Sequence, residues 1–209
     1  GDRGEMSNQV NVGNYATDNM AFPGYLTWLD SLGLSGEGVI IANVDSGLDQ
    51  DHPDLVNRML PCTGSTCGGD AQSDHGTHTA GIMAGDGSSG VVDPRGVLRG
   101  LGMAPGASLI EQVYDPTYLD PGGLMTLMSQ SSQNQAVISG NSWGPSGTPL
   151  GYDQDTRLVD IGVRDANPDL AGNQALSYVL SFMNGNGGTS SQGTPDEAKN
   201  IFTVGSTRL

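Results

Sequence analysis

Basic residues are scarce in this chain. There are 8 against 23 acidic ones, Lys199 is the only lysine, and the formal net charge is −15. Such a surface repels phosphate backbones and anionic headgroups, which excludes nucleic acid and membrane surfaces as partners. Long apolar runs are absent too, since "VIIANV" and "YVLSFM" have the length of buried strands. No basic, apolar start resembles a signal peptide, so any targeting segment is expected to have gone already. No internal repeat or linker composition interrupts the chain, which leaves one domain. Cysteine is confined to Cys62 and Cys67, in "LPCTGSTCGG". A pair among Gly, Ser and Thr fits a disulfide closing one surface loop, and a disulfide favours secretion. Zinc is the rival reading, but no second cysteine pair or suitable histidine pair follows at finger spacing.

What is abundant points to turns. Gly occurs 33 times and Pro 11 times without a G-X-Y period, the signature of a loop-rich globular enzyme rather than a fibre. Of the acids, 19 are Asp and 4 are Glu. Asp suits tight turns and calcium-binding loops, and an acidic skin suits salty surroundings.

Apolar runs alternate with amphipathic ones. Residues 1–24 read as polar and irregular, and "GYLTWLDSLGL" as the first helix. "GEGVIIANVDSG", "ASLIEQVYD", "AVISGNSWG", "LSYVLSFMNGNGG" and "NIFTVGST" read as strands. Between them "DHGTHTAGIMAG", "GGLMTLMSQSSQNQ" and "TRLVDIGVRDAN" read as helices, the first with Gly76, Ala80, Gly81 and Ala84 permitting close packing. This alternation predicts an α/β fold with a mostly parallel central sheet flanked by helices. Functional residues then belong at the carboxyl ends of its strands.

Two such residues stand out. Asp45 follows "VIIANV" directly and precedes a Gly-permitted exit; capping a turn is its bland alternative. His75 lies in "SDHGTHTAG", three residues before His78. A zinc pair is conceivable there, but the Glu of the metalloprotease helix is missing and no third ligand is evident. A buried carboxylate that accepts Nδ1–H of a histidine fixes its tautomer and leaves Nε2 to take a proton from a serine. The stretch Gly140-Asn141-Ser142-Trp143-Gly144 carries a G-x-S-x-G pattern, yet every histidine (His52, His75, His78) precedes it. In hydrolases that use this elbow the serine comes first, so Ser142 fails as a nucleophile on order.

The segments "NVDSGLDQDHPDL", "DHGTHTAGIMAG", "GMAPGASL", "NSWG" and "NGNGG" resemble, in sequence and order, the subtilisin-like serine proteases, or subtilases. The likeness runs from about residue 33 to Leu209. "GNSWG", "DTRLVDIGVRDANPD" and "GTPDEAKNIFTVGST" look most like the alkaline subtilases with a C-terminal β-sandwich. The resemblance implies a three-layer fold, with Asp45 as the triad acid, His75 as the base and His78 as structural. It implies Asn186, in Gly185-Asn186-Gly187, as the oxyanion-hole donor. Asn184 and Gly187 depart from the family, which has a small apolar residue and Glu there. Ser142, Trp143 and Gly144 would form one wall of the primary specificity pocket, and Met183, Asn184 and Gly185 the facing one. Gly122 and Gly123 match the edge along which an extended peptide adds as a strand. Calcium is the stabilising ion that the family and the abundance of Asp suggest. Asp54 in "HPDL" matches a known ligand position, with Asp86 and Asp93 as weaker companions.

The family's "G-T-S-M-A"-type nucleophile segment does not occur in this sequence. Ser190 and Ser191 lie directly after the oxyanion turn and are poor substitutes. Residues 1–209 are therefore expected to be the N-terminal portion of a single subtilase catalytic domain. The expected function is a secreted endopeptidase acting on peptides or proteins, its serine supplied by the C-terminal remainder of its precursor. The alternative is a peptide-binding fragment or pseudoprotease without catalysis.

Overall fold

A computed structural model describes residues 4–144, 150–182 and 193–205. It divides into two compact units that interleave along the chain. The first comprises residues 1–39, 48–60 and 72–109, and the second 40–47, 61–71 and 110–209.

Most of a mostly parallel sheet lies in the second unit, residues 108 and 109 of its second strand belonging to the first. Strands β1 (Ile40–Asp45), β2 (Ser108–Val113), β3 (Ile138–Asn141), β4 (Ser177–Ser181) and β5 (Phe202–Val204) lie in the order β2-β1-β3-β4-β5. The pairs β1–β3, β3–β4 and β4–β5 are parallel, with Val44 opposite Asn141 and Asn141 opposite Leu180. This is the architecture that strand–helix alternation predicts. Ile41, Ala42, Val44 and Asp45 are all buried, as a strand covered on both faces requires. Helices α4 (Gly123–Gln133) and α5 (Gln154–Gly162) pack on the sheet through Leu124, Leu127, Met128 and Val159. Gly162 lets α5 approach α4, because a Cβ there would press on the Met128 thioether. The chain moves from β1 to β2 on one side and then returns to β3 on the other. The carboxyl ends of β1 and β3 thus flank a topological switch point, where ligands bind in open α/β sheets.

Cys62 and Cys67 form the expected disulfide, with Cα atoms 5.7 Å apart. Its loop is tied to α4 more closely than a free surface loop would be. Thr63 N–H donates to Asn134 Oδ1 at 2.8 Å, and Thr66 N–H and Oγ1–H donate to Gln130 Oε1 at 2.9 and 2.8 Å. Beneath it, buried Gln112 donates to Thr66 Oγ1 at 2.7 Å and accepts from Ser131 at 2.6 Å.

The first unit holds helices α1 (Glu5–Val12), α2 (Tyr25–Leu32) and α3 (Asp74–Ala84). The expected irregular start is in part helical. Its buried face is polar, formed by Glu5, Asn8 and Gln9 at the i, i+3, i+4 spacing normally taken by apolar residues. The Glu5 carboxylate accepts the N–H groups of Gly24, Tyr25 and Leu98, which satisfies donors at the start of α2. Asn8 donates to the Leu101 and Gly102 carbonyls, both at 3.0 Å. In α3 the small residues Gly76, Ala80 and Ala84 are buried. Gly102 N–H reaches Gly85 O at 2.8 Å, an approach that a Cβ on Gly102 would block.

Candidate active site

Asp45 ends β1 at the switch point and is 1% exposed. Its Oδ1 accepts Ser46 N–H at 2.8 Å and the Ser46 hydroxyl at 3.1 Å. These charge-assisted bonds hold the carboxylate at the strand end. Its carbonyl accepts Tyr114 N–H at 3.1 Å.

Tyr114, one residue past β2, joins Asp45 to the segment expected to line the substrate pocket. Its ring stacks on Trp143, centroids 4.3 Å apart and planes 9° from parallel. Tyr118 closes the cluster edge-on, 5.5 Å from each ring. Burial raises the Tyr114 phenol above its ordinary pKa, and the nearby Asp45 charge adds to the rise. Trp143 is buried in the main core, whereas Ser142 is exposed beyond the end of β3 and Gly144 is half-buried. Ser142 thus follows the last residue of the strand next to β1, with Asp45 and Asn141 at adjoining ends.

Gly122 has φ +79° and Gly123 N–H bonds to Asp120 O at 2.8 Å. A Cβ on Gly123 would run into the Thr117 carbonyl, so the tight entry to α4 demands these glycines. Asp45, Gly122, Gly123, Ser142, Trp143 and Gly144 therefore all belong to the second unit.

His75 belongs to the first unit, in the opening turn of α3. Ser73 caps that helix, its Oγ accepting Gly76 N–H at 3.3 Å, and Thr77 Oγ1 accepts Asp49 N–H at 2.8 Å. These bonds fix the turn that carries the imidazole. His75 and His78 are both exposed on α3, one turn apart. Among the described residues, no group of three or more His, Cys, Asp or Glu side chains is placed to hold a metal ion. Met183, Asn184, Gly185 and Asn186 lie outside the described residues, as do Ser190 and Ser191.

Asp54 is 5% exposed. Its Oδ1 accepts Ser89 N–H at 2.8 Å, Oδ2 lies 3.9 Å from His52 Nδ1, and the side chain packs against Gly100. Asp86 turns to Asn57 and Arg58, and Asp93 pairs with Arg95 at 3.0 Å. Each of the three carboxylates thus has protein partners of its own among the described residues.

Sequence reasoning missed Tyr114, Tyr118 and Asn141. Asn141 donates to Ser139 O at 3.1 Å and Ser139 Oγ at 3.0 Å, while its Oδ1 is a buried acceptor with no partner among the described residues. Its place as the last residue of β3 was the available signal.

The family model described as "Subtilase family" matches residues 36–209. The minor extracellular protease Vpr of Bacillus subtilis is 28% identical over 200 residues, spanning 85% of this chain and 22% of Vpr. Subtilisin E of the same species is 32% identical over 189 residues, spanning 85% of this chain and 43% of its own length. The chain therefore covers less than half of either relative. Among solved structures, a psychrophilic protease superposes with a TM-score of 0.57 at 25% identity, over 81% of this chain and 53% of that one.

Proposed function

Because the chain belongs to the subtilase family, we propose that it supplies the acid, the base and the oxyanion donor of a serine endopeptidase. The observation that carries this reading is Asp45, buried and bonded to Ser46 at the end of β1, beside the switch point. In the proposed mechanism Asp45 orients His75 and stabilises the imidazolium that forms as His75 takes the serine's proton. Asn186 donates its amide to the oxyanion as the tetrahedral intermediate forms, a contact whose loss lowers kcat by roughly 10²–10³-fold. In this reading the peptide lies extended along Gly122-Gly123, with Ser142, Trp143 and Gly144 as one wall of its pocket and Met183, Asn184 and Gly185, outside the described residues, as the other. The nucleophilic serine is carried by the remainder of the precursor.

The reading extends to secretion, since Vpr is by name extracellular and the Cys62–Cys67 disulfide suits an oxidising compartment. Calcium enters it as a structural ion that raises thermal stability, with Asp54 a candidate ligand alongside donors outside the described residues. Among the described residues no helix is long and apolar enough to cross a membrane.

The test is a fluorophosphonate probe applied to the full-length precursor product, followed by intact mass of each polypeptide. Labelling of one serine, lost in His75→Ala, is the expected result. A sample that takes no label while still binding peptides would establish the non-catalytic alternative instead.

A further inference from the structure

Asn141 and Leu180 form the last rung of the β3–β4 ladder. At that rung a side chain adds a second tie between the two strands. Asn141 Nδ2 donates across to Val179 O at 3.3 Å, and back along β3 to Ser139 O at 3.1 Å and Ser139 Oγ at 3.0 Å. Two of these partners are carbonyls, which only accept, so the nitrogen must face them and Oδ1 must face away.

The amide is costly where it stands. Val44 and Leu180, its register partners on β1 and β4, both belong to the main core, and residues opposite one another in a sheet share a face. Asn141 is 5% exposed, and its Oδ1 has no partner among the described residues. A buried acceptor left without a donor lowers stability, and Leu, of nearly the same shape, would avoid that loss in this layer. Sequences break such local rules at functional sites. What the amide does here, and Leu could not, is to bond β3 to β4 through a side chain.

We propose that Asn141 is a specificity-determining positioning residue, which ties the carboxyl ends of β3 and β4 and so sets the spacing of the pocket walls that follow them. The inference rests on the proposed function. There Ser142, Trp143 and Gly144 continue β3 as one wall, and Met183, Asn184 and Gly185, outside the described residues, come after β4 as the other. A side-chain bond at the last rung resists fraying where the backbone pairing stops. The wall after β3 is also held from the β1 side, because Tyr114 bonds to Asp45 O and stacks on Trp143. Loss of the amide leaves that stack in place and frees the β4 side alone. The pocket then opens toward bulkier side chains.

The test uses the full-length protein carrying His75→Ala, so that peptides bind without being cut. Two fluorescein-labelled peptides, identical except for Ala or Phe at the scissile position, are titrated by anisotropy, and the ratio of their Kd values is the readout. Asn141→Leu is expected to shift that ratio about fivefold or more toward Phe without lowering the melting temperature. Should the Leu variant not fold, Asn141→Met, unbranched and adaptable in a core, carries the same expectation. Ser139→Ala removes one acceptor of the amide but keeps the bond to β4, and is expected to leave the ratio within about twofold. An unchanged ratio in the Asn141 variants, an equal shift in Ser139→Ala, or no peptide binding at all would overturn the proposal. Fluorophosphonate labelling of the protein with His75 intact reads the protease function separately. Labelling with no shift in the ratio sinks the role of Asn141 alone, and a shift without labelling keeps it for a pocket that binds peptides and does not cut them.

Discussion

Tyr114 is bonded at one end and stacked at the other: its N–H reaches the Asp45 carbonyl at 3.1 Å, and its ring lies 4.3 Å from that of Trp143. The residue after β2 thus couples the end of β1 to the segment that leaves β3. Tyr114→Ala is expected to destabilise the chain by about 3 kcal/mol, the usual cost of deleting a packed aromatic ring. Tyr114→Phe keeps ring and backbone bond, and is expected to be nearly neutral. Urea unfolding followed by Trp143 fluorescence checks both, and a small loss in the Ala variant would show that the stack carries little.

The entry to α4 makes a sharper demand. Ala at position 123 would drive its Cβ against the Thr117 carbonyl, and at 122 it would have to adopt φ +79°. Gly123→Ala is expected to cost about 1–3 kcal/mol, because backbone on both sides must shift to relieve the overlap. On the proposed function, its effect in the full-length protein is expected on KM before kcat, since the displaced edge would bind peptide rather than perform chemistry. Steady-state kinetics on a peptide substrate separates the two, and a kcat effect with unchanged KM would place this edge elsewhere in the mechanism.

The strands were legible because each is a short apolar run bounded by Gly, Pro, Asn or Asp, as in "VIIANV" before Asp45. Their carboxyl ends then indicated where function is expected, and Asp45 and Asn141 are the last residues of neighbouring strands. Helix α1 was not legible because its buried face is Glu5, Asn8 and Gln9, which only tertiary partners make sense of. The aromatic cluster was hidden for a different reason. Tyr114 and Trp143 are distant in sequence and meet only once β2, β1 and β3 are laid side by side. The two compact units left no linker to read, since each is assembled from several separate stretches of chain.

Asp196 gives a pH-dependent prediction. It is 4% exposed, and burial raises its pKa above the ordinary carboxylate value despite the opposing bond from Gly193 N–H at 3.3 Å. A carboxyl whose folded pKa lies above its unfolded one binds more protons when folded, so stability falls as pH rises from the unfolded value through the folded one. Asp196→Asn retains an acceptor for Gly193 and removes the charge. It is expected to raise the melting temperature at neutral pH and to lose that advantage in acid. Thermal melts of both proteins across the acid range check this, and a gain independent of pH would assign the effect to packing instead.

The disulfide supplies the last prediction. In the chain-entropy picture a cross-link over so short a loop contributes about 2 kcal/mol, because it removes few unfolded conformations. Here the loop also donates to Gln130 and Asn134 and covers the buried Gln112–Ser131 bond. Loosening it would expose that polar pair and slacken α4, whose first residue is Gly123. Reduction, or replacement of both cysteines by Ser, is therefore expected to cost more than the entropic figure and to speed hydrogen exchange in α4. Exchange measured by mass spectrometry on oxidised and reduced protein decides the matter. If protection falls only within residues 62–67, the loop is an independent staple and the extra cost is absent.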